Sequence, residues 1–353
     1  MHRSTTLILV LNVITSTVIV ASSYHWFSVW VGLEMNTLSI LPILCYQFSP
    51  RNVESTIKYF LVQSFSAAII LNAVLIQAWL YSSWSVIHPL NVFTSAILVL
   101  SLSLKLGLFP CHYWFPDVIQ GVNFIQGLIL STWQKVAPLI ILLSISDHIE
   151  TKYLIVIGTG SVLIGGWGGL NQTQVRKILA FSSISHMGWI CSVIGYSASI
   201  SIVMVLVYII INSSIFIISN EFGLYSLSYL NRVVFINSAG GFCLVLAILS
   251  LGGLPPLTGF LNKFLGLNCL IENGNFLAGV LLIVGSLLSL FFYLRITFNS
   301  SLVLFPEHTL TMFTWRNGYV WGGITFPQGI ILGVLVSLSV FGLVSLPFLG
   351  SNI

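Results

Sequence analysis

Four charged side chains lie where a bilayer would resist them. Glu34, Lys105, Lys135 and Lys263 each fall inside a long apolar run. A charge at the centre of a bilayer costs roughly 2.5–3.5 kcal/mol on insertion scales, so passive retention is a poor account of all four. An amine held in an apolar interior is drawn towards neutrality, where it can accept and release a proton. A nearby carboxylate opposes that drift, so Glu34 moving towards or away from Lys105 would switch the lysine between holding and releasing its proton. His112, beside Pro110, and His186, in Ser182-Ser183-Ile184-Ser185-His186, lie in similar runs. Imidazole titrates near neutral pH and could link such sites through water. Plainer readings stay open: snorkelling lysines, a salt bridge fixing two helices, or a histidine bonding its neighbouring hydroxyls.

Elements that position these groups must cross hydrocarbon. Apolar residues make up 57% of the 353 positions and charged residues 6%, far below the roughly one quarter of a soluble domain. Such a chain could not cover a water-facing surface. About 20 apolar residues span a bilayer. Spans are expected near 5–22, 26–46, 57–80, 92–121, 123–145, 151–170, 174–196, 198–219, 236–271, 275–297 and 327–349. The fold class expected is an all-α polytopic membrane helix bundle of about eleven transmembrane helices, with residues 1–353 forming a single transmembrane domain. Met1-His2-Arg3 and the apolar run behind it imitate a secretory signal; with ten further spans following, the run is read as the first transmembrane helix.

The loops test this count. With eleven crossings, one side receives Arg3, Arg51, Lys58, Arg176, Lys177, Arg232, Arg295 and Arg316, and the other only Lys152, beside Asp147, Glu150 and Glu272. That asymmetry follows the positive-inside rule and puts the amino terminus in the cytoplasm or the mitochondrial matrix. The net charge of +4 comes from basic residues scattered singly and carries no nucleic-acid signature.

Two segments, 92–121 and 236–271, are too long for one simple crossing: about 30 residues make roughly 45 Å of helix against about 30 Å of hydrocarbon. Each holds a breaker near its middle, Gly107-Leu108-Phe109-Pro110 and Gly252-Gly253-Leu254-Pro255-Pro256. Proline removes an amide donor and clashes with the preceding turn. Broken helices at corresponding places in two halves point to a transporter with inverted repeats. Two inverted five-helix repeats, approximately 1–145 and 151–297, each with one broken helix, fit this register, with a final helix at approximately 327–349. The symmetry is partial, because Lys105 precedes its break whereas Lys263 follows the other by seven residues.

Other features read as structural. Cys45, Cys111, Cys191, Cys243 and Cys269 are widely spaced and serve as small apolar fillers. Trp26, Trp30, Trp79 and Trp84 suggest an interfacial aromatic belt. His2, His25, His88, His148 and His308 need no special role. Gly165-Gly166-Trp167-Gly168-Gly169 allows close helix approach. No dinucleotide fingerprint, P-loop or nucleophile elbow appears, so redox or hydrolytic catalysis within this chain is not expected.

Several motifs together resemble the antiporter-like subunits of respiratory complex I. They are Trp30-Val-Gly-Leu-Glu34-Met-Asn36, Lys105-Leu-Gly-Leu-Phe-Pro-Cys-His112-Tyr-Trp-Phe-Pro-Asp117, Trp133-Gln-Lys135-Val-Ala-Pro138, Arg176-Lys-Ile-Leu-Ala-Phe-Ser-Ser-Ile-Ser-His186-Met-Gly188 and Gly253-Leu-Pro-Pro-Leu-Thr-Gly-Phe-Leu-Asn-Lys263-Phe. The resemblance implies a multi-pass subunit of the proton-pumping arm in the mitochondrial inner membrane, its amino terminus in the matrix. By motif, Glu34 and Lys105 match the family's coupled carboxylate–lysine pair, Lys135 its central lysine and Lys263 its terminal lysine. His112 and His186 match histidines of the hydrophilic axis. NADH, FMN, iron–sulfur clusters and ubiquinone would be bound by partner subunits, with no cofactor or metal on this chain. Its partners would be other membrane-arm and accessory subunits and lipids, not nucleic acid. Full-length members of the family carry three further amino-terminal helices, and the chain resembles the shortened animal mitochondrial form. Two other readings are a subunit of a multi-subunit cation/proton antiporter and a membrane scaffold whose lysines pair with acids of neighbours.

Overall fold

Hydrocarbon offers no partners for backbone amides, so spanning segments must satisfy them internally. The computed structural model describes residues 3–228, 238–302 and 326–342. Among these there is no strand, only the isolated bridges His25–Ser85 and Gln174–Ser226. The helices are α1 (Arg3–Ser22), α2 (Trp26–Leu44), α3 (Pro50–Tyr81), α4 (Val92–Leu106), α5 (Trp114–Gly121), α6 (Phe124–Ser131), α7 (Trp133–Ile145), α8 (Thr151–Gly169), α9 (Val175–Ile194), α10 (Ala198–Glu221), α11 (Ser238–Gly252), α12 (Gly259–Glu272), α13 (Phe276–Leu302) and α14 (Phe326–Phe341). Seven described helical stretches are long and apolar enough to cross a membrane. They correspond to α1, α2, α3, α6 with α7, α9, α10 and α13. The glycine-rich α8 is not among them, and Val92–Leu106, Gly240–Gly252 and Leu332–Phe341 are shorter apolar helices. Arg232, Arg316, His2, His308 and the end of the expected final span lie outside the described residues.

The breaks fall where the sequence places them. α4 stops at Gly107, whose φ of 71° is the left-handed value that ends helices, and Leu108 N–H donates to the Ser103 carbonyl at 2.9 Å. α11 stops in the same way, Gly253 having φ 70° and its N–H reaching the Ser250 carbonyl at 3.0 Å. Phe109–Pro110 and Pro255–Pro256 are both cis.

One interruption was not expected. The run 123–145 is divided at Thr132 into α6 and α7. Lys135 N–H bonds to the Thr132 carbonyl at 3.3 Å, three residues back instead of four. The Ser131 carbonyl is taken by the Tyr208 hydroxyl at 2.9 Å, and the Thr132 hydroxyl bonds back to Leu128 at 2.7 Å. A side chain inserted into the helical ladder is an ordinary cause of a kink.

α9 is the centre of the molecule. It is buried along almost its whole length, including Ser182, Ser183, Ser185 and His186. Glycines let its neighbours close on it. A Cβ at Gly158 of α8 would stand 2.7 Å from the Gly188 carbonyl, and one at Gly165 would stand 2.9 Å from Ser185 N. On the other face of α8, a Cβ at Gly166 would meet the Gly285 carbonyl of α13 at 2.6 Å. The close approach expected of the Gly165–Gly169 stretch is thus made to two helices at once.

Several basic residues converge at one end of the bundle. A Cβ on Gly121 would touch Ser55 and the Arg51 carbonyl. Next to it the Val122 carbonyl accepts from Arg176, whose guanidinium lies over Phe124 and Tyr225 at 5.8 and 5.1 Å. Arg295 donates to the Leu170 and Gln172 carbonyls, each at 2.6 Å, where α8 ends. A cation there offsets the negative end of the helix dipole.

Three expectations are corrected. Trp26 is no belt residue: it is 1% exposed within the apolar core, and its backbone N–H bonds to the Trp84 carbonyl at 2.9 Å. His25 does have a role, since Nδ1 accepts from Phe27 N–H at 3.2 Å and caps α2 while the ring stacks on Trp84. Cys111 is exposed in the first break and fills no core; Cys191 and Cys269 are buried as expected.

Candidate functional site: a buried axis of amines

Lys105 and Lys135 are 5% and 4% exposed, so neither snorkels. Lys263 is half-buried. Among the described residues the ion pairs within 4 Å belong to Lys58, which meets Glu54 at 2.7 Å and Asp117 at 3.8 Å beside an open pocket of ≈ 270 Å³. The three amines instead donate to backbone carbonyls. Lys105 Nζ reaches the Gln63 carbonyl at 3.4 Å, Lys135 the Ser183 carbonyl at 3.5 Å and Lys263 the Gly252 carbonyl at 2.6 Å. No interhelical salt bridge within the described part of the chain accounts for them.

The mismatch of the two lysines in sequence is resolved in space. Lys105 occupies the last turn of α4, immediately before its break. Lys263 belongs to α12, beyond its break, but its side chain folds back so that the amine caps the last carbonyl of α11. A Cβ on Gly253 would stand 2.8 Å from Lys263 Cε, so glycine there leaves the lysine its path. The Lys263 amine therefore sits at the C-terminal end of a half-helix, where partial negative charge favours a cation, whereas the Lys105 amine crosses from the last turn of α4 to the Gln63 carbonyl of α3.

Lys105 and Lys135 share a small cavity of ≈ 10 Å³, also lined by Tyr59, Gln63, Phe115 and Gln134. That is about the least space that holds one water, and its lining is polar enough to bind one. The Lys135 amine lies 4.6 Å from the Phe115 ring centroid and 5.4 Å from that of Tyr208. Aromatic faces stabilise the ammonium form without adding a countercharge. Tyr208 continues to His186, ring centroids 5.8 Å apart, and His186 lies within electrostatic range of both Lys135 and Lys263. Ser182, Ser183 and Ser185 donate their hydroxyls to carbonyls of their own helix, so these bonds do not engage the imidazole.

Glu34 is half-buried on α2, its carboxylate accepting from the Thr37 hydroxyl at 3.3 Å. It is within electrostatic range of Lys105 and Tyr59 but forms no ion pair within 4 Å with any described residue. His112 is buried yet keeps to its own break: Nδ1 lies 3.2 Å from the Pro110 carbonyl and the ring 4.0 Å from that of Tyr113. The structure thus brings Lys105 and Lys135 to one cavity and carries Lys135 through Tyr208 to His186, with Lys263 held at the end of α11. Glu34 stands at one end, and His112 stands apart.

Sequence reasoning missed Tyr59, Gln63, Gln134, Phe115 and Tyr208. A signal existed for the first two. Asn52, Ser55, Thr56, Tyr59, Gln63 and Ser66 recur at helical spacing along an otherwise apolar α3, and all six are buried.

Two helices broken at glycine stops, with amines held in the interior beside them, define an antiporter-like membrane protein. A family model described as NADH:quinone oxidoreductase/Mrp antiporter, TM matches residues 23–289, and one described as NADH dehydrogenase subunit 2 C-terminus matches residues 290–349. The chain belongs to the NADH–ubiquinone oxidoreductase chain 2 family. It is 63% identical to that protein of Patiria pectinifera over 348 residues, covering 98% of each chain. It is 62% identical to that of Pisaster ochraceus over 351 residues, covering 99% of each. Solved structures share the fold. A chain of respiratory complex I from Thermus thermophilus superposes with a TM-score of 0.82 at 24% identity, over 98% of this chain and 80% of that one. A chain of the Mrp complex from a Dietzia species gives 0.78 at 18% identity, over 97% and 76%.

Proposed function

We infer that the chain is a proton-translocating membrane subunit of respiratory complex I in the mitochondrial inner membrane. It is one component of an NADH:ubiquinone reductase whose redox cofactors belong to other subunits. Family membership supplies the assembly. The observation that carries the mechanism is the set of interior amines, Lys105, Lys135 and Lys263, each resting on a carbonyl with no acid of the described residues within 4 Å. A permanently charged, unpaired amine would be a standing cost; one that cycles between charged and neutral is a carrier. In this reading Glu34 modulates Lys105, the cavity water joins Lys105 to Lys135, and His186 relays between Lys135 and Lys263. His112 serves as a secondary relay at the first break. Moving one charge against 100 mV takes about 2.3 kcal/mol, so the drive must come from redox chemistry in partner subunits.

The finer architecture belongs to the same proposal. Residues 1–353 form a single transmembrane domain of about eleven helices, with α4–α5 and α11–α12 as the broken members of inverted repeats at about 1–145 and 151–297 and a final helix at about 327–349. The matched glycine stops at Gly107 and Gly253 support the repeats. The shared end of Arg51, Arg176 and Arg295 supports a matrix-facing amino terminus.

The deciding experiment replaces Lys135 or Lys263 with Met in the intact complex, reconstituted in vesicles. Proton transfer per assembled complex should fall by about 10², the scale of a lost acid–base group. Unchanged protons per electron in a fully assembled variant would overturn the assignment. The Mrp neighbour keeps a cation/proton antiporter as the second reading. Co-purification with NADH-oxidising subunits separates the two.

A further inference from the structure

The cavity between Lys105 and Lys135 has a neutral wall that the proton path does not by itself explain. Gln134 precedes Lys135 and lines that cavity. Its Oε1 accepts from the Tyr59 hydroxyl at 3.2 Å, and its Nε2 donates to Asn36 Oδ1 at 3.1 Å. Tyr59 and Asn36 are 2% and 3% exposed. The carboxamide is thus held from both ends, by α3 and by α2. Two of its four hydrogen-bonding positions remain, one lone pair and one N–H, which suit a water acting as donor and acceptor.

We propose that Gln134, clamped by Tyr59 and Asn36, is the positioning residue for the water that joins Lys105 to Lys135. This rests on those two lysines exchanging protons. A carboxamide suits the task because it orients water strongly yet takes up no proton near neutral pH, so it cannot trap the proton in transit. A carboxylate in its place would hold the charge. The clamp also has a direction. Asn36 lies two residues from Glu34 on α2, so any shift of α2 that follows the charge of Glu34 moves the bracket as well. Tyr59 is packed against Trp114, ring centroids 5.9 Å apart, which fixes the third side.

The test uses the intact complex in vesicles. It compares Gln134→Met and Tyr59→Phe, singly and together, with Lys135→Met as the reference. Tyr59→Phe keeps the ring on Trp114, so folding is preserved even if Gln134→Met assembles poorly. Each single variant should lower coupled turnover per assembled complex about two- to tenfold, the scale of one lost hydrogen bond, and displace one limb of the pH–turnover profile. The double variant should be no worse than the poorer single one, as expected of residues acting as a unit. Wild-type pumping and pH profile per assembled complex in Tyr59→Phe and Gln134→Met, whatever their yield, would overturn the inference. If Lys135→Met stops pumping while these two do not, only the bracket is wrong. If Lys135→Met itself pumps normally, the underlying proton path is wrong.

Discussion

At the residue scale, the amines rest on carbonyls and aromatic faces that carry no countercharge. Carbonyls and aromatic faces favour an ammonium modestly, whereas an ion pair at full contact in low dielectric would pin the proton. Lys135 is the clearest case, lying between the Phe115 and Tyr208 rings. Replacing Phe115 with Leu keeps apolar bulk and removes the π face, a loss of about 0.5–2 kcal/mol to the charged form. Coupled turnover per assembled complex should then change severalfold, with the complex still formed; proton-pumping assays in vesicles read both. The charged residues were legible because each stands out alone against an apolar run. Gln134 and Tyr59 were not, since a neutral polar residue in a membrane helix carries only a small signal and its partners lie on other helices. Cys111 and Trp26 failed for the converse reason: a local apolar neighbourhood does not say whether a side chain faces lipid, core or an open break.

At the scale of elements, the axis depends on how closely α8, α9 and α13 approach one another. Gly158 and Gly166 mark the contacts, with carbonyls of Gly188 and Gly285 standing where a methyl would go. These neighbours are backbone, which cannot swing aside. Gly158→Ala and Gly166→Ala should each cost about 1–3 kcal/mol through overpacking and lower the yield of assembled complex, measured by native gel electrophoresis. Gly274 has a φ of 73° but open space where a methyl would stand, so Gly274→Ala should show a milder loss that comes from backbone strain alone. The breaks at Gly107 and Gly253 could be read from glycine and proline in over-long segments. The kink at Thr132 could not. It arises because Tyr208, from α10, claims the Ser131 carbonyl, and nothing in residues 123–145 announces that visitor.

At the scale of the whole molecule, the orientation proposed here sets Arg51 and Arg176 on the matrix face and Lys152 on the opposite one. Single cysteines at Arg51 and Lys152, both exposed, should react with a membrane-impermeant thiol reagent from opposite sides. Labelling of both from one side would contradict the crossing count. The described residues bring Arg51, Arg176 and Arg295 to one end through contacts the loops alone could not establish. Charge bias predicts a side because each loop's basic residues respond to the membrane individually. The packing of that end depends on which helices become neighbours.

Composition and the placement of single residues determined the membrane class, the helical character, the two breaks and the identity of the buried ionisable groups. Each of these follows from a cost charged to one residue or one segment: a polar backbone in oil, a proline in a helix, a charge in hydrocarbon. Tertiary structure alone decided which groups meet. It turned Lys263 back onto α11, joined Lys105 to Lys135 through one small cavity, and left His112 at its own break. Those outcomes depend on distances between helices far apart in the chain, and local preferences carry no record of them.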